Sequence, residues 1–181
     1  MTQLFFSHTW HKDNMGRNTH DRVVNIAKIL KYKGWNIWID EENMKNNIDA
    51  AMAEGIENSD VVLVFLTEMY IKKVNNAAKN PRLRDNCLKE WTYANVLNKL
   101  IIPIVFEPSL LNIMNWPSGI IQLYLGSTLY IDCIYNDSKL CAFKIHEYLI
   151  KLKLKPYGNP IKNIDNNLKT FKLINNKIKS L

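Results

Sequence analysis

The sequence predicts an α/β domain built on a five-stranded parallel sheet with helices on both faces, and three observations carry that expectation. Five short runs of β-branched and aromatic residues alternate with stretches whose apolar positions recur at helical spacing, the pattern of successive β-α-β units. Two runs, from Val61 to Leu66 and from Ile101 to Phe106, are apolar at nearly every position, as in strands covered on both faces. Polar residues cluster where such strands end, and open parallel sheets bind their ligands at those carboxyl ends.

The first strand is Leu4, Phe5 and Phe6, ending in polar Ser7 and His8. A loop containing Gly16 leads to Asn18 or Thr19 as N-cap of a helix with Val23, Ile26, Ala27 and Leu30 on one face, stopped by Gly34. Residues 35–39 form the second strand. The polar stretch DEENMKNN then leads into a helix carrying Ile48, Ala51, Met52, Gly55 and Ile56 on one side. Ser59 and Asp60 open the third strand, 61–66, which belongs at the sheet's centre. A polar loop with Asn80 and Pro81 follows, and Asp85 or Asn86 caps a helix bearing Cys87, Trp91, Ala94 and Leu97. Pro103 marks an edge or a bulge in the fourth strand, 101–106. Residues 128–132 form the fifth strand, and 137–152 a last helix with Cys141, Ile145, Leu149 and Leu152 inward.

Length and a 47% hydrophobic content suit one domain, residues 1–154, followed by a basic linker and an amphipathic tail helix over 155–181. The net charge of +7 is confined to the end of the chain: residues 1–150 hold 16 Lys/Arg against 16 Asp/Glu, whereas residues 151–181 hold eight Lys and one Asp. In that tail Ile164, Leu168, Phe171, Ile174, Ile178 and Leu181 form one stripe. It can pack on the body, pair with another chain or lie on an anionic surface. Nucleic-acid binding lacks an aromatic platform or motif. The first ten residues lack a secretory signal's basic and apolar regions, and no apolar run reaches the ~18 residues of a membrane span. Cys87, Cys133 and Cys141 form neither a pair pattern nor a zinc signature, which fits reduced thiols in the cytoplasm. His8, His11 and His20 match no metal-ligand spacing, so no metal is expected.

Three blocks in order resemble the Toll/interleukin-1 receptor (TIR) domain family over about residues 3–152. The first is FFSHTW followed by Asp13, Gly16, Arg17 and His20; the second is GWNIWIDEENM, which delivers Asp40 into the segment called the BB loop; the third is DNCLKEW, with Cys87 and Glu90 in register with the family's W-C-x-x-E block. The S-H-x-W form is closest to protist and invertebrate members. Two positions depart from the pattern: Asn86 stands where many active members have Trp, and Asn46 where the BB loop usually has Gly.

The resemblance implies a flavodoxin-like fold and cleavage of the nicotinamide–ribose bond of NAD⁺, a substrate rather than a bound cofactor, in immune or cell-death signalling. It makes Glu90 the catalytic residue. That bond breaks with a neutral leaving group, so no general acid is needed, and one carboxylate can stabilise the positive charge developing on the sugar. From the residues alone, Glu90 reads more readily as a capping or surface carboxylate, and it is the resemblance that reverses this reading. Ser7 and His8 are placed to hydrogen-bond phosphate or ribose, Trp10 and Trp38 to flank a ring, and Arg17 to meet the pyrophosphate, each against a plain reading as packing or loop residue. Asp40, Asn43, Asn86 and Cys87 complete the expected binding set. The BB loop in this family gates the cleft and makes TIR–TIR contacts, so self-assembly is implied. A non-catalytic adaptor and a module that sequesters nucleotide signals are the alternatives, and whether the product is linear or cyclic stays open.

Overall fold

The computed structural model describes residues 2–40, 47–80 and 82–158. Five strands form one all-parallel sheet in the order β2-β1-β3-β4-β5: β1 is Gln3–Ser7, β2 Asn36–Trp38, β3 Val61–Leu66, β4 Leu100–Val105 and β5 Ile131–Asp132. This is the doubly wound flavodoxin-like order, in which the chain reverses its winding between β1 and β3 and leaves a crevice at their carboxyl ends. The tail positions 159–181 and the BB-loop residues 41–46, including Asn43 and Asn46, lie outside the described residues.

Alternation along each strand splits the core into two layers. Leu4, Phe6, Val61, Leu63, Phe65, Ile102 and Ile104 face α1 (Thr19–Tyr32) and α6 (Ser138–Lys151). Phe5, Val62, Val64, Leu66 and Val105 face α2 (Ile48–Glu57), α3 (Glu68–Lys79), α4 (Asn86–Val96) and α5 (Ile120–Leu125). Every residue of β3 is buried, which fits its central place and its unbroken apolar run.

Helix boundaries follow local chemistry. Asn18, Asn47, Thr67, Asp85 and Asp137 each accept a backbone N–H of the helix they precede. After α1 the chain turns at Gly34, whose φ of +89° suits glycine. A Cβ there would also lie 2.4 Å from the Gly158 carbonyl oxygen, because residues 155–158 return to this end of the sheet. Thr2 N–H donates to the Lys155 carbonyl, Lys155 N–H donates to the Thr2 hydroxyl, and Tyr157 N–H donates to the Gly34 carbonyl at 2.7 Å. No helix among the described residues is long and apolar enough to cross a membrane.

The structure corrects the sequence-based expectation in two places and, at Pro103, favours the edge over the bulge. Part of the stretch read as a polar loop after β3 is α3, with Tyr70, Ile71, Val74 and Ala77 buried beneath its Lys and Asn residues. The fifth strand is shorter than 128–132, since β5 pairs with β4 only at Ile104 and Val105. Pro103 makes no bulge: the β3–β4 ladder runs unbroken through Val64↔Pro103, and β5 has not yet begun beside it.

Trp38 is a packing residue. Its ring stacks on Phe5 at 4.4 Å and lies against α2 at Gly55, where a Cβ would fall 2.6 Å from the indole. Gly55→Ala is therefore expected to destabilise the domain by about 1–3 kcal/mol despite alanine's better helix propensity, measured as a lower urea midpoint with unchanged slope.

Candidate functional site

The crevice at the carboxyl ends of β1 and β3 is built by three elements. β1 ends at Ser7; α4 begins at its Asp85 cap and turns Cys87, Glu90, Trp91 and Ala94 inward; α3 begins at its Thr67 cap and turns Tyr70 inward. Glu90 is only 3% exposed, so a carboxyl group sits where α4 would ordinarily place an apolar side chain. Ser7 Oγ donates to Glu90 Oε2 at 2.6 Å, and the Ser7 and Tyr70 hydroxyls are 2.8 Å apart. The serine has one proton to give, and with it committed to Glu90 the tyrosine donates to Ser7.

Burial pushes the Glu90 carboxyl well above its ordinary range, Asp40 adds like-charge repulsion, and the Ser7 hydrogen bond opposes both. Asp40 follows β2 two residues beyond the Phe5↔Trp38 pair that ends the β1–β2 ladder, near enough to Glu90 to act on its charge. It is buried too, its pKa raised by burial and partly lowered by a hydrogen bond from Trp10 and the nearness of His20, and its Oδ1 has no partner. Two buried acidic groups thus stand near one another, and Asp40 disfavours ionisation of Glu90.

Cys87 donates to the His8 carbonyl at 3.6 Å, and its thiol pKa is raised, first by burial and then by Glu90. That makes it a neutral wall of the crevice and not a thiolate nucleophile. The His8 side chain lies within hydrogen-bond distance of His20, Nε2 to Nδ1 at 2.8 Å. Burial, with His20 nearby, holds the His8 pKa down to about 3. Trp10 lies on the His20 ring. Asn86 is exposed on the first turn of α4.

Arg17 has a different employment. Its Nε bonds Asp13 at 2.7 Å, and its terminal nitrogens reach the carbonyls of Phe106, at 2.6 Å, and Ile134. Asp13 also accepts the Arg17 and Met15 backbone N–H groups and Arg22, whose guanidinium lies 3.8 Å from the Phe106 ring centroid. These contacts tie the loop after β1 to the ends of β4 and β5. Sequence reasoning missed Tyr70 altogether, although Thr67 followed by Tyr70, Ile71, Val74 and Ala77 is a readable capped helix.

Fold order and crevice define a doubly wound α/β domain with a dry, hydrogen-bonded glutamate at its topological switch point. The TIR domain family matches residues 4–142, and the chain belongs to that family. Among solved structures, the TIR domains of the activated Roq1 resistosome directly recognizing the pathogen effector XopQ match with a TM-score of 0.55 at 13% identity, covering 82% of this chain and 99% of that one. A Clostridium botulinum CMP N-glycosidase, BcmB, matches with a TM-score of 0.48 at 17% identity, over 81% and 99% of the two chains. No curated protein matches the chain.

A carboxyl whose pKa is raised on folding contributes stability below its unfolded pKa and loses it as pH rises through the folded value. Glu90→Gln keeps a partner for Ser7 and removes the charge. Its melting temperature relative to wild type is therefore expected to climb as pH goes from about 4 to about 8, by thermal unfolding at each pH. His8 acts in the opposite sense: its lowered pKa favours the neutral folded state, and that stability is lost as pH falls from 6.5 toward about 3.

Proposed function

We propose that this TIR domain is an NAD⁺ glycohydrolase that cleaves the bond between nicotinamide and ribose, with Glu90 as the catalytic carboxylate. The observation that carries the reading is the hydrogen-bonded burial of Glu90 at the switch point, where a carboxyl group without a task would be a net cost. The family match over residues 4–142 supports the same chemistry at the level of the family.

The reaction asks little of the protein in proton transfer and much in electrostatics. When the C1′–N bond breaks, its electron pair goes to the ring nitrogen, nicotinamide leaves neutral, and positive charge remains on the ribose. A carboxylate fixed in a dry site stabilises that charge more strongly than one in water, because little solvent screens it and no reorganisation is needed. Ser7 and Tyr70 hold Glu90 in place. Burial raises the Glu90 pKa, and the positively charged pyridinium ring of the substrate beside it would favour the ionised form. Water then captures the sugar cation and loses a proton, or a ring nitrogen of the same molecule does so in a cyclising branch.

TIR domains in a resistosome support a second component of the proposal, assembly of this domain with its own kind, which would make activity depend on concentration.

Purified protein at low and high concentration is expected to consume NAD⁺, with nicotinamide and an ADP-ribose product resolved by chromatography. Glu90→Ala and Glu90→Gln should each lower turnover by at least about a hundredfold while remaining folded. Equal consumption by wild type and variants, or none by concentrated wild type, would turn the reading to a non-catalytic adaptor. Because the ionised carboxylate is required, kcat/KM should rise with pH along an acid limb lying above the ordinary Glu value of about 4.3. A limb at or below that value would contradict the assignment.

A further inference from the structure

The net charge of +7 lies wholly in residues 151–181, and the first part of that segment is built into the fold. Each crossover helix runs back along the sheet, so the helices end where the strands begin. From the end of α6 at Lys151 the chain crosses this pole and leaves the described body at Gly158 as a fixed strap. Lys153 N–H donates to the Ile150 carbonyl at 2.8 Å and Leu154 N–H to the Leu149 carbonyl at 3.1 Å, while Thr2 and Gly34 hold the backbone of Lys155 and Tyr157. Leu154 packs against the core layer of α1 and α6. Lys151, Leu152, Lys153, Lys155 and Tyr157 stay exposed.

Two features set this strap apart from an ordinary solvated helix end. Lys153 has a φ of +63°, the left-handed position after a helix that glycine fills at least cost, yet a charged side chain stands there. Apolar groups lie among the lysines: Tyr157 is 61% exposed, and Tyr32, Ile150 and Leu152 are exposed at the ends of α1 and α6, two helices packed together. Of the acids toward this pole, Glu57 ends α2 on the other layer and bonds Tyr93, Asp60 accepts the Gln3 N–H, and Glu147 stands a turn back along α6. Beyond Gly158 the sequence keeps the same character, with five more lysines against one aspartate and the apolar stripe from Ile164 to Leu181. Lysines interleaved with tyrosine and aliphatic side chains complement an anionic lipid surface, where ammonium groups meet charged head groups and the apolar groups settle at the acyl boundary.

We propose that the strap over 151–158 and the adjoining ends of α1 and α6 form a docking surface for an anionic lipid bilayer, with the lysines beyond Gly158 adding to the same contact. The domain lies on such a membrane; no helix among the described residues is fit to cross one. This surface is independent of whether Glu90 is catalytic.

The test sediments the full chain with vesicles of phosphatidylcholine alone or with about 30% phosphatidylserine. Two variants remove equal charge: Lys153→Gly with Lys155→Gln on the strap, and Lys12→Gln with Lys139→Gln, exposed lysines in the loop after β1 and the first turn of α6, at the opposite pole. Wild type should bind the anionic vesicles and not the neutral ones, and release them as salt rises from about 0.1 M to about 0.5 M. With each lysine at the surface counting about fivefold, the strap variant should bind about twentyfold more weakly, and the opposite-pole variant within about twofold of wild type. The strap variant should melt no lower than wild type, since glycine relieves position 153. Lys155→Gln alone, expected to weaken binding about fivefold, keeps the test decisive if the double variant unfolds. Equal weakening by the two double variants would reduce the effect to net charge, and a strap variant binding like wild type would confine it to the tail. Either result, equal binding of neutral vesicles, or no binding by wild type overturns the proposal.

Discussion

The interaction on which this site depends is the 2.6 Å hydrogen bond from Ser7 to Glu90. It joins the tip of β1 to the interior face of α4, and it makes tolerable a carboxyl group among Cys87, Trp91 and Ala94. Much of the surrounding architecture serves the same place. α3 supplies the Tyr70 hydroxyl that completes the serine's hydrogen bonding, and its cap at Thr67 fixes where that hydroxyl arrives. Asp40, two residues past the end of β2, adds its charge to the surroundings of Glu90.

A second framework holds the opposite side of the crevice. Asp13 gathers Arg17 and Arg22, which reach the carbonyls of Phe106, Cys133 and Ile134 at the ends of β4 and β5. Glu107 accepts the backbone N–H of Asn14 and of Glu68, joining the loop after β1 to the first residue of α3. Charged side chains at this pole thus bond chiefly to backbone and to one another, which stiffens the loops that carry His8 and Trp10. Arginine at position 17 reads in the sequence as a phosphate ligand and in the fold as a brace.

The sheet was legible because period-two and unbroken apolar runs are strong signals, and Val61 to Leu66 could hardly be anything but a central strand. Residues 68–79 were not, because Lys and Asn dominate the outer face and dilute the mean hydropathy, although Tyr70, Ile71, Val74 and Ala77 keep the helical spacing. The error reached the site: without α3, Tyr70 had no place near Ser7. Glu90, Ser7 and Asp40 could be placed at strand and helix ends from sequence alone. Their mutual bonds could not, since side-chain hydrogen bonding between residues 83 apart depends on how layers pack. The five tryptophans show the same limit: composition makes them equal, and only burial separates Trp10 from the rest.

The pairing of Lys155 with Thr2, and of Tyr157 with Gly34, has a directional meaning for the molecule. Thr2 lies at the amino end of β1 and Ser7 at its carboxyl end, a strand's length of roughly 16 Å away. The chain therefore leaves the described body at the pole facing away from Glu90. A surface or subunit gripping the domain through residues C-terminal to Gly158 would hold it by the heel, with the crevice turned outward and open to small molecules and to neighbouring copies alike.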